Sequence, residues 1–429
     1  MAATRTARAA VLALVMALGA GGCSQGSDGD GGGERPDGPR IEVDHPTALA
    51  DQAVRTRVTG LPAGARVRIT THAKDYRGDG WSAEGDYQAD RHGVVDLSRD
   101  RPRRESGGST TAGAQAKTQG QRPDGMRLLW SMTPEKGAAP GRFFATDSPS
   151  RQAGYPVRVT VSQGGNTLTQ RTLNRRWLEK KARGRELTVR RDKLNGQLYT
   201  PPRGSARKAP VLVFGGSEGG NSARYSAALL ASHGHPALAL CYFRCTGRPQ
   251  AINRIPLEYF TRAARLLGRQ PASDRTKMAV MGTSRGSEVA QLLGQRHPEL
   301  FRDVIVYAPS YQVIGPYPYG DAAWEENGKP VPRGPISLDR VRGRVLALAG
   351  EADEMWGSAD SARRIARQRG ASGQRHQALI YPGAGHHLSG FPYAPGQERS
   401  RRGDPARVTA ANEAAKTDGW PKVLKLLNR

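Results

Sequence analysis

Acidic residues are scarce in this chain. Its 39 Asp and Glu face 65 Lys and Arg, a formal charge of +26 over 429 residues. The bland reading is a solvated, Arg-rich surface; the sharper one is attraction to an anionic membrane surface or an anionic substrate. A nucleic-acid partner is not expected, because the charge is spread along the chain and no helix-turn-helix, zinc or RNA-binding signature occurs. Aromatics make up 6 % and hydrophobic residues 37 %, low for a fully globular chain of this length, so polar linkers take up part of it. The remainder still suffices for a sizeable core and two domains. The apolar run Ala9–Ala20 is too short for an ordinary membrane-spanning helix. Cysteine is nearly absent, with three residues. Cys241 and Cys245 lack metal-ligand spacing with His; they fit either a disulfide formed outside the cytoplasm or two free thiols. The glycine-rich stretches match neither G-x-x-x-x-G-K-[ST] nor G-x-G-x-x-G, so no phosphate-cradling loop is expected.

What the N-terminus does contain is a localisation signal. Arg5 and Arg8 precede the apolar run, and Gly21, Gly22 and Cys23 follow it. A charged region, a short apolar region and small residues define a secretory signal over residues 1–22. A cysteine directly after them is similar to the lipobox of bacterial lipoproteins, which implies cleavage before Cys23 and a lipid on its thiol. The departure is Ala20, where that pattern prefers Leu. The protein is therefore expected outside the cytoplasm, anchored to the membrane through Cys23, or otherwise secreted. Residues 23–40 read as a flexible tether, with nothing apolar to bury.

The chain is organised around KMAVMGTSRGSEVA, residues 277–290. An apolar run, Met278 to Met281, reads as a buried strand. Gly282-Thr283-Ser284-Arg285-Gly286 matches G-x-S-x-G, and Glu288, Val289, Ala290, Leu292 and Leu293 recur at helical spacing. Strand, tight turn and helix form the context of a nucleophile elbow, in which a strained serine needs small neighbours and faces the positive end of a helix.

Around it, two kinds of pattern divide the chain. In residues 41–172, Ala53–Val58, Ala65–Thr71, Trp81–Ala89, Gly93–Leu97, Leu128–Met132 and Tyr155–Ser162 read as short strands, with Ser98–Arg122 as a long polar loop. The spacing predicts an all-β, antiparallel sandwich of immunoglobulin-like size. In residues 173–429 strands alternate with helices: a connecting helix at Trp177–Arg183, a hairpin over Leu187–Leu198, strands at 210–214, 236–242, 303–308, 344–349 and 377–381, and a last helix near Ala406–Leu427. That alternation implies an α/β domain with a parallel sheet.

Two strand ends supply partners for Ser284. RVLALAG leads to Asp353, with Glu351 and Glu354 as competitors; QALIYPG leads to His386, with His387 as rival. Each lies past the C-terminal end of a strand, where this architecture gathers its site. Ser284, Asp353, His386 is the chain order of α/β-hydrolases. Serine needs histidine to take its proton, and the carboxylate orients the imidazole and stabilises its charged form. PVLVF runs into Gly215–Gly220, whose Ser217 and Glu218 amides, with the amide of Arg285, are candidates for an oxyanion hole.

Over about residues 41–429 the chain resembles the acyl-CoA thioesterases and bile acid-CoA:amino acid N-acyltransferases. ALADQAVRTRVTGLPAG, WSAEGDYQAD, GVVDLSR and DGMRLLWSMTP are similar to the family's N-terminal domain. NGQLYTPP, FGGSEGG, IPLEYF, GTSRGSEVA, the Asp353–Ser358 loop and YPGAGHHLSGFPYAP are similar to its hydrolase domain. The resemblance implies nucleophile, acid and histidine at Ser284, Asp353 and His386. Because the family's transferases carry Cys as nucleophile and its thioesterases Ser, Ser284 implies hydrolysis. The expected activity is that of a serine hydrolase of acyl thioesters, with no metal and with coenzyme A entering only as part of the substrate. The alternatives are an extracytoplasmic esterase or N-acyltransferase on a non-CoA acyl substrate, and a lipid-anchored binding protein with a relict site. The extracytoplasmic signal, where coenzyme A thioesters are scarce, and the long insert before MRLLWSMTP depart from the family pattern.

Overall fold

Alternation of side chains decides the layering of this protein, whose structure is a computed structural model describing residues 38–103, 123–135, 143–396 and 403–429. The residues that carry the expected signal sequence, Cys23 and most of the tether therefore lie outside the described residues, as do residues 104–122 of the long polar loop. The described residues belong to one compact unit, Gly38–Arg429.

The N-terminal part contains β1 (Arg40–Val43), β2 (Thr47–Leu49), β3 (Thr56–Thr59), β4 (Arg66–Lys74), β5 (Gly80–Gln88), β6 (Val95–Asp96), α1 (Arg127–Trp130), β7 (Thr133–Pro134), β8 (Gly154–Gln163) and β9 (Asn166–Arg176). They form a three-stranded sheet, β1-β3-β6, and a six-stranded sheet, β2-β9-β8-β4-β5-β7. Every pairing is antiparallel except β2 on β9, which is parallel. The expected strand at Leu128–Met132 is instead the short helix α1. Asp124 starts it, accepting from the Met126 amide at 2.9 Å and from Trp130 Nε1 at 2.7 Å.

The C-terminal part runs β10 (Arg183–Leu187), α2 (Val189–Asp192), β11 (Gly196–Thr200), β12 (Val211–Phe214), α3 (Arg224–Ser232), β13 (Ala237–Leu240), β14 (Ile255–Pro256), α4 (Leu257–Gly268), β15 (Ala279–Thr283), α5 (Arg285–Arg296) and β16 (Asp303–Tyr307). Four short strands follow, β17 (Gln312–Val313), β18 (Trp324–Glu326), β19 (Lys329–Pro330) and β20 (Gly334–Pro335). The chain ends with β21 (Val345–Gly350), α6 (Ser358–Arg367), β22 (Gln377–Tyr381) and α7 (Pro405–Leu427). Eight strands make one sheet in the order β10-β11-β13-β12-β15-β16-β21-β22. From β13 to β22 the neighbours are parallel; β10 and β11 are antiparallel. The architecture is mixed α/β.

Trp177–Arg183 forms no helix. Its indole is buried between Tyr155 and Tyr225, at 5.0 and 4.5 Å between centroids, and donates from Nε1 to Thr146 Oγ1 at 2.8 Å. These contacts outweigh local helix preference, which is a fraction of a kcal/mol per residue. The hairpin expected over Leu187–Leu198 is displaced outward: Arg183–Leu187 pairs with Gly196–Thr200, and most of the expected span is the connection between them, which contains α2.

Both faces of the large sheet are covered, so its central strands are buried throughout and alternate residues enter different cores. Val211, Val213, Met281, Ile305, Leu346 and Leu348 join α3, α7 and the N-terminal sheet in one cluster. Leu212, Phe214, Val280, Val304, Val306 and Ala347 join α4, α5 and α6 in the other. At the seam of the first cluster, the buried carboxylate of Asp51 accepts from His233 Nε2 at 2.6 Å and from Trp420 Nε1 at 2.7 Å. That single group ties the segment after β2 to the ends of α3 and α7.

Candidate active site

The parallel strands end in register. Phe214 on β12 pairs with Gly282 on β15, Thr283 with Tyr307 on β16, and Gly350 on β21 with Tyr381 on β22. Loops leaving these ends therefore converge on one edge of the sheet.

β15 stops at Thr283, Ser284 adopts φ 54° and ψ −121°, and α5 begins at Arg285. A Cβ on Gly282 would lie 2.2 Å from the Gly286 carbonyl oxygen, and one on Gly286 would lie 2.3 Å from the Gly215 carbonyl oxygen. Both obstacles are backbone, so the two glycines of G-x-S-x-G are steric requirements of the turn.

Ser284 Oγ is 2.9 Å from His386 Nε2, and His386 Nδ1 is 2.8 Å from Asp353 Oδ2. All three side chains are nearly or fully withdrawn from solvent. Asp353 also accepts from the Met355 and Trp356 amides at 2.9 and 3.3 Å. Burial pushes its carboxyl up, but the hydrogen bond and charge of His386, helped by Ser358 and the Met355 amide, outweigh that and hold it below its ordinary value. An ionised Asp353 on Nδ1 leaves Nε2 facing the serine. The Trp356 ring stands edge-on to His386 at 5.1 Å.

The competitors are disposed differently. Glu351 is exposed and paired with Arg363 at 2.7 Å, and Glu354 is exposed. His387 turns toward Phe143, 5.1 Å away between centroids. The histidine loop is held by Asn412 of α7, whose Oδ1 accepts from the Gly385 amide at 2.7 Å, and by the Ala352 amide, which donates to Ala384 O at 2.9 Å. Asn412 was invisible to sequence reasoning, being one polar residue in a helix.

The loop after β12 lies against the serine: a Cβ on Gly216 would sit 2.7 Å from Ser284 Cβ. The carboxylate of Glu218 turns back to accept from the Gly216 amide at 3.0 Å and from Ser222 Oγ at 2.5 Å. The structure thus brings the loop of Ser217 and Glu218 beside Ser284; the amide of Arg285, next in the chain, belongs to the first turn of α5 and has no acceptor within its helix. The Arg285 side chain points away into the core. Its Nε is 2.8 Å from Glu288 Oε1, its guanidinium also donates to the Gly315 carbonyl, and Trp324 Nε1 donates to Glu288 Oε2 at 3.0 Å. Burial pushes the Glu288 carboxyl up to about 7, opposed by Arg285 and Trp324.

Among the described residues no group of three or more His, Cys, Asp or Glu side chains is arranged to hold a metal ion. Cys241 and Cys245 are joined as a disulfide, with Cα atoms 6.5 Å apart. Cys23 lies outside the described residues.

Residues 51–189 match the family model described as acyl-CoA thioester hydrolase/BAAT N-terminal region. Residues 255–331 and 319–428 match the one described as BAAT/acyl-CoA thioester hydrolase C terminal. Mouse bile acid-CoA:amino acid N-acyltransferase is 25 % identical over 427 residues, covering 89 % of this chain and 96 % of its own. Mouse acyl-coenzyme A thioesterase 5 is 26 % identical, with 80 % and 84 % covered, and mouse acyl-coenzyme A thioesterase 3 is 26 % identical, with 87 % and 90 % covered.

Proposed function

Because the chain belongs to the acyl-CoA thioester hydrolase/bile acid-CoA:amino acid N-acyltransferase family, we propose that it is a serine hydrolase of acyl thioesters. The observation that carries this reading is the hydrogen-bonded series Ser284 Oγ, His386 Nε2, His386 Nδ1, Asp353 Oδ2. Ser284 Oγ attacks the thioester carbonyl as His386 takes its proton. The carbonyl oxygen becomes an oxyanion that the Ser217 and Arg285 amides receive. Collapse breaks the carbon–sulfur bond, and His386 returns the proton to the leaving thiolate. Water, deprotonated by the same imidazole, then cleaves the oxygen ester on Ser284 and frees the acid. Asp353 holds the tautomer and the charge throughout.

The same proposal reads residues 41–172 as an immunoglobulin-like sandwich and residues 173–429 as an α/β-hydrolase domain, the second supported by the sheet order and by Ser284, Asp353, His386 following one another in the chain. It also includes attachment to a membrane through Cys23, which rests on the sequence of residues 1–23.

Two assays test it. Purified protein should release thiol from acyl-CoA substrates and should be labelled on Ser284 by a fluorophosphonate. Failure of both removes the hydrolase reading. Since relatives include N-acyltransferases, the acid-to-amide ratio is measured with excess glycine or taurine. A product that is mostly amide replaces hydrolysis by transfer.

A further inference from the structure

Two residues beyond the strand next to β12, Tyr242 reaches across to the loop beside Ser284. Its hydroxyl donates to the Gly215 carbonyl at 3.2 Å and to the Gly216 carbonyl at 3.1 Å. The hydroxyl is buried, and the ring is fixed by Phe243, Phe260, Trp324 and Phe214, with centroids 5.1 to 6.1 Å away. The disulfide between Cys241 and Cys245 closes the backbone around it.

These bonds fix the direction of one peptide group. In a trans peptide the carbonyl of one residue and the amide N–H of the next point opposite ways. Tyr242 holds the Gly216 carbonyl toward the core, so the N–H of Ser217 points away from Tyr242. The preceding amide, Gly216 N–H, is committed to Glu218 at 3.0 Å and is not free to serve. With the Gly216 amide engaged, the Ser217 amide is the candidate of this pair for an incoming oxyanion.

We propose that Tyr242 is a positioning residue for the oxyanion hole, its hydroxyl orienting the Gly216–Ser217 peptide so that the Ser217 amide meets the charge developed during attack by Ser284. The inference rests on the hydrolase reading above. Burial raises the phenol well above its ordinary value, so it stays a donor over the whole working range of the enzyme. Without the hydroxyl the glycine-rich loop keeps its place against Ser284, but the Gly216–Ser217 peptide loses the hydrogen bond that holds its rotation.

The test is Tyr242→Phe, which keeps the ring in its aromatic setting, compared with Tyr242→Leu. On a p-nitrophenyl ester or an acyl-CoA, Tyr242→Phe should lower kcat roughly ten- to hundredfold, the order expected when a transition-state contact is misplaced. KM should stay within about twofold, because the contact is made to the transition state and not to the ground state. Affinity for a trifluoromethyl ketone, which forms a tetrahedral adduct on serine, should weaken by the same factor as kcat. A Tyr242→Phe enzyme with wild-type kcat, beside an impaired Tyr242→Leu enzyme, would assign Tyr242 to packing and overturn the proposal. Equal losses in kcat and in ground-state binding would overturn it too. Fluorophosphonate labelling of wild-type Ser284 separates this from the reading beneath it: no labelling removes both, whereas labelling with an unaffected Tyr242→Phe kcat removes this inference alone.

Discussion

Gly216 lies so close to Ser284 that no side chain fits between them: a β-carbon added to Gly216 would fall 2.7 Å from Ser284 Cβ and 3.0 Å from the Thr283 carbonyl oxygen. Neither obstacle is the far end of a flexible side chain. Gly216→Ala must therefore push the loop after β12 away from the elbow, and Ser217 moves with it. Turnover should fall by about 10²-fold or more, with overpacking costing roughly 1–3 kcal/mol of stability. Steady-state kinetics and urea denaturation measure the two effects, and wild-type kcat in Gly216→Ala would show that the loop is not held where the structure puts it.

Ser284, His386 and Asp353 act as a unit if the hydrolase reading holds. Ser284→Ala and His386→Ala should each lower kcat by roughly 10⁴- to 10⁶-fold. His387→Ala should cost far less, because that ring packs on Phe143 and makes its 5.6 Å approach to His386 edge-on. A dead His387→Ala enzyme would transfer the proton-carrying role to His387.

Stability should depend on pH through a carboxyl outside the serine–histidine pair. Burial pushes Glu413 in α7 up to about 7, and its Oε1 accepts from the Tyr393 amide at 2.5 Å. A carboxyl raised in the folded state favours folding below its unfolded value near 4.5, and that contribution is lost as pH rises through about 7. Glu413→Gln keeps an oxygen for Tyr393 and removes the buried charge. It should be neutral near pH 4.5 and stabilise by roughly 3 kcal/mol at pH 8, following the size of the shift. Urea midpoints at both pH values check this; a gain of equal size at each would mean that packing, not charge, is responsible.

The expected anchor is tested in cells. Cys23→Ala should move the protein from the membrane fraction to the medium, and a fatty-acid analogue should label wild type alone. A wild-type protein that is unlabelled and cytoplasmic contradicts the expectation.

The strands that position the site were readable because they are covered on both faces. Runs such as Val211–Phe214 and Val345–Gly350 are apolar at every position, and the ends of β12, β15 and β21 announced the loop of Ser217, Ser284 and Asp353; His386 follows β22, a half-buried outer strand legible by its alternation with α6. The choice of His386 over His387 required coordinates, since both follow the same strand. Short apolar runs were ambiguous: Leu128–Trp130 has too few residues to separate strand from helix by period, and the local signal was Asp124, whose side chain accepts from the Met126 amide and the Trp130 indole in the turn before the helix. At Trp177 the misreading arose because tertiary contacts of one indole replaced helical hydrogen bonding. The part played by the Glu218 carboxylate, as distinct from its amide, and that of Tyr242 went unassigned for a different reason. Their action is on backbone groups distant from them or turned back upon them, and no spacing rule encodes it. The one clue for Tyr242 was its place just past the buried run Ala237–Leu240, where a parallel sheet collects functional groups.

The backbone angles of Ser284 make the proposed nucleophile a burden to the fold. A non-glycine residue held at φ 54° and ψ −121° costs on the order of 1–3 kcal/mol, and glycine alone is at ease there. Ser284→Gly should abolish turnover and raise the melting temperature, so a selection scheme that rewards only thermal resistance would discard the active chain in favour of an inert one.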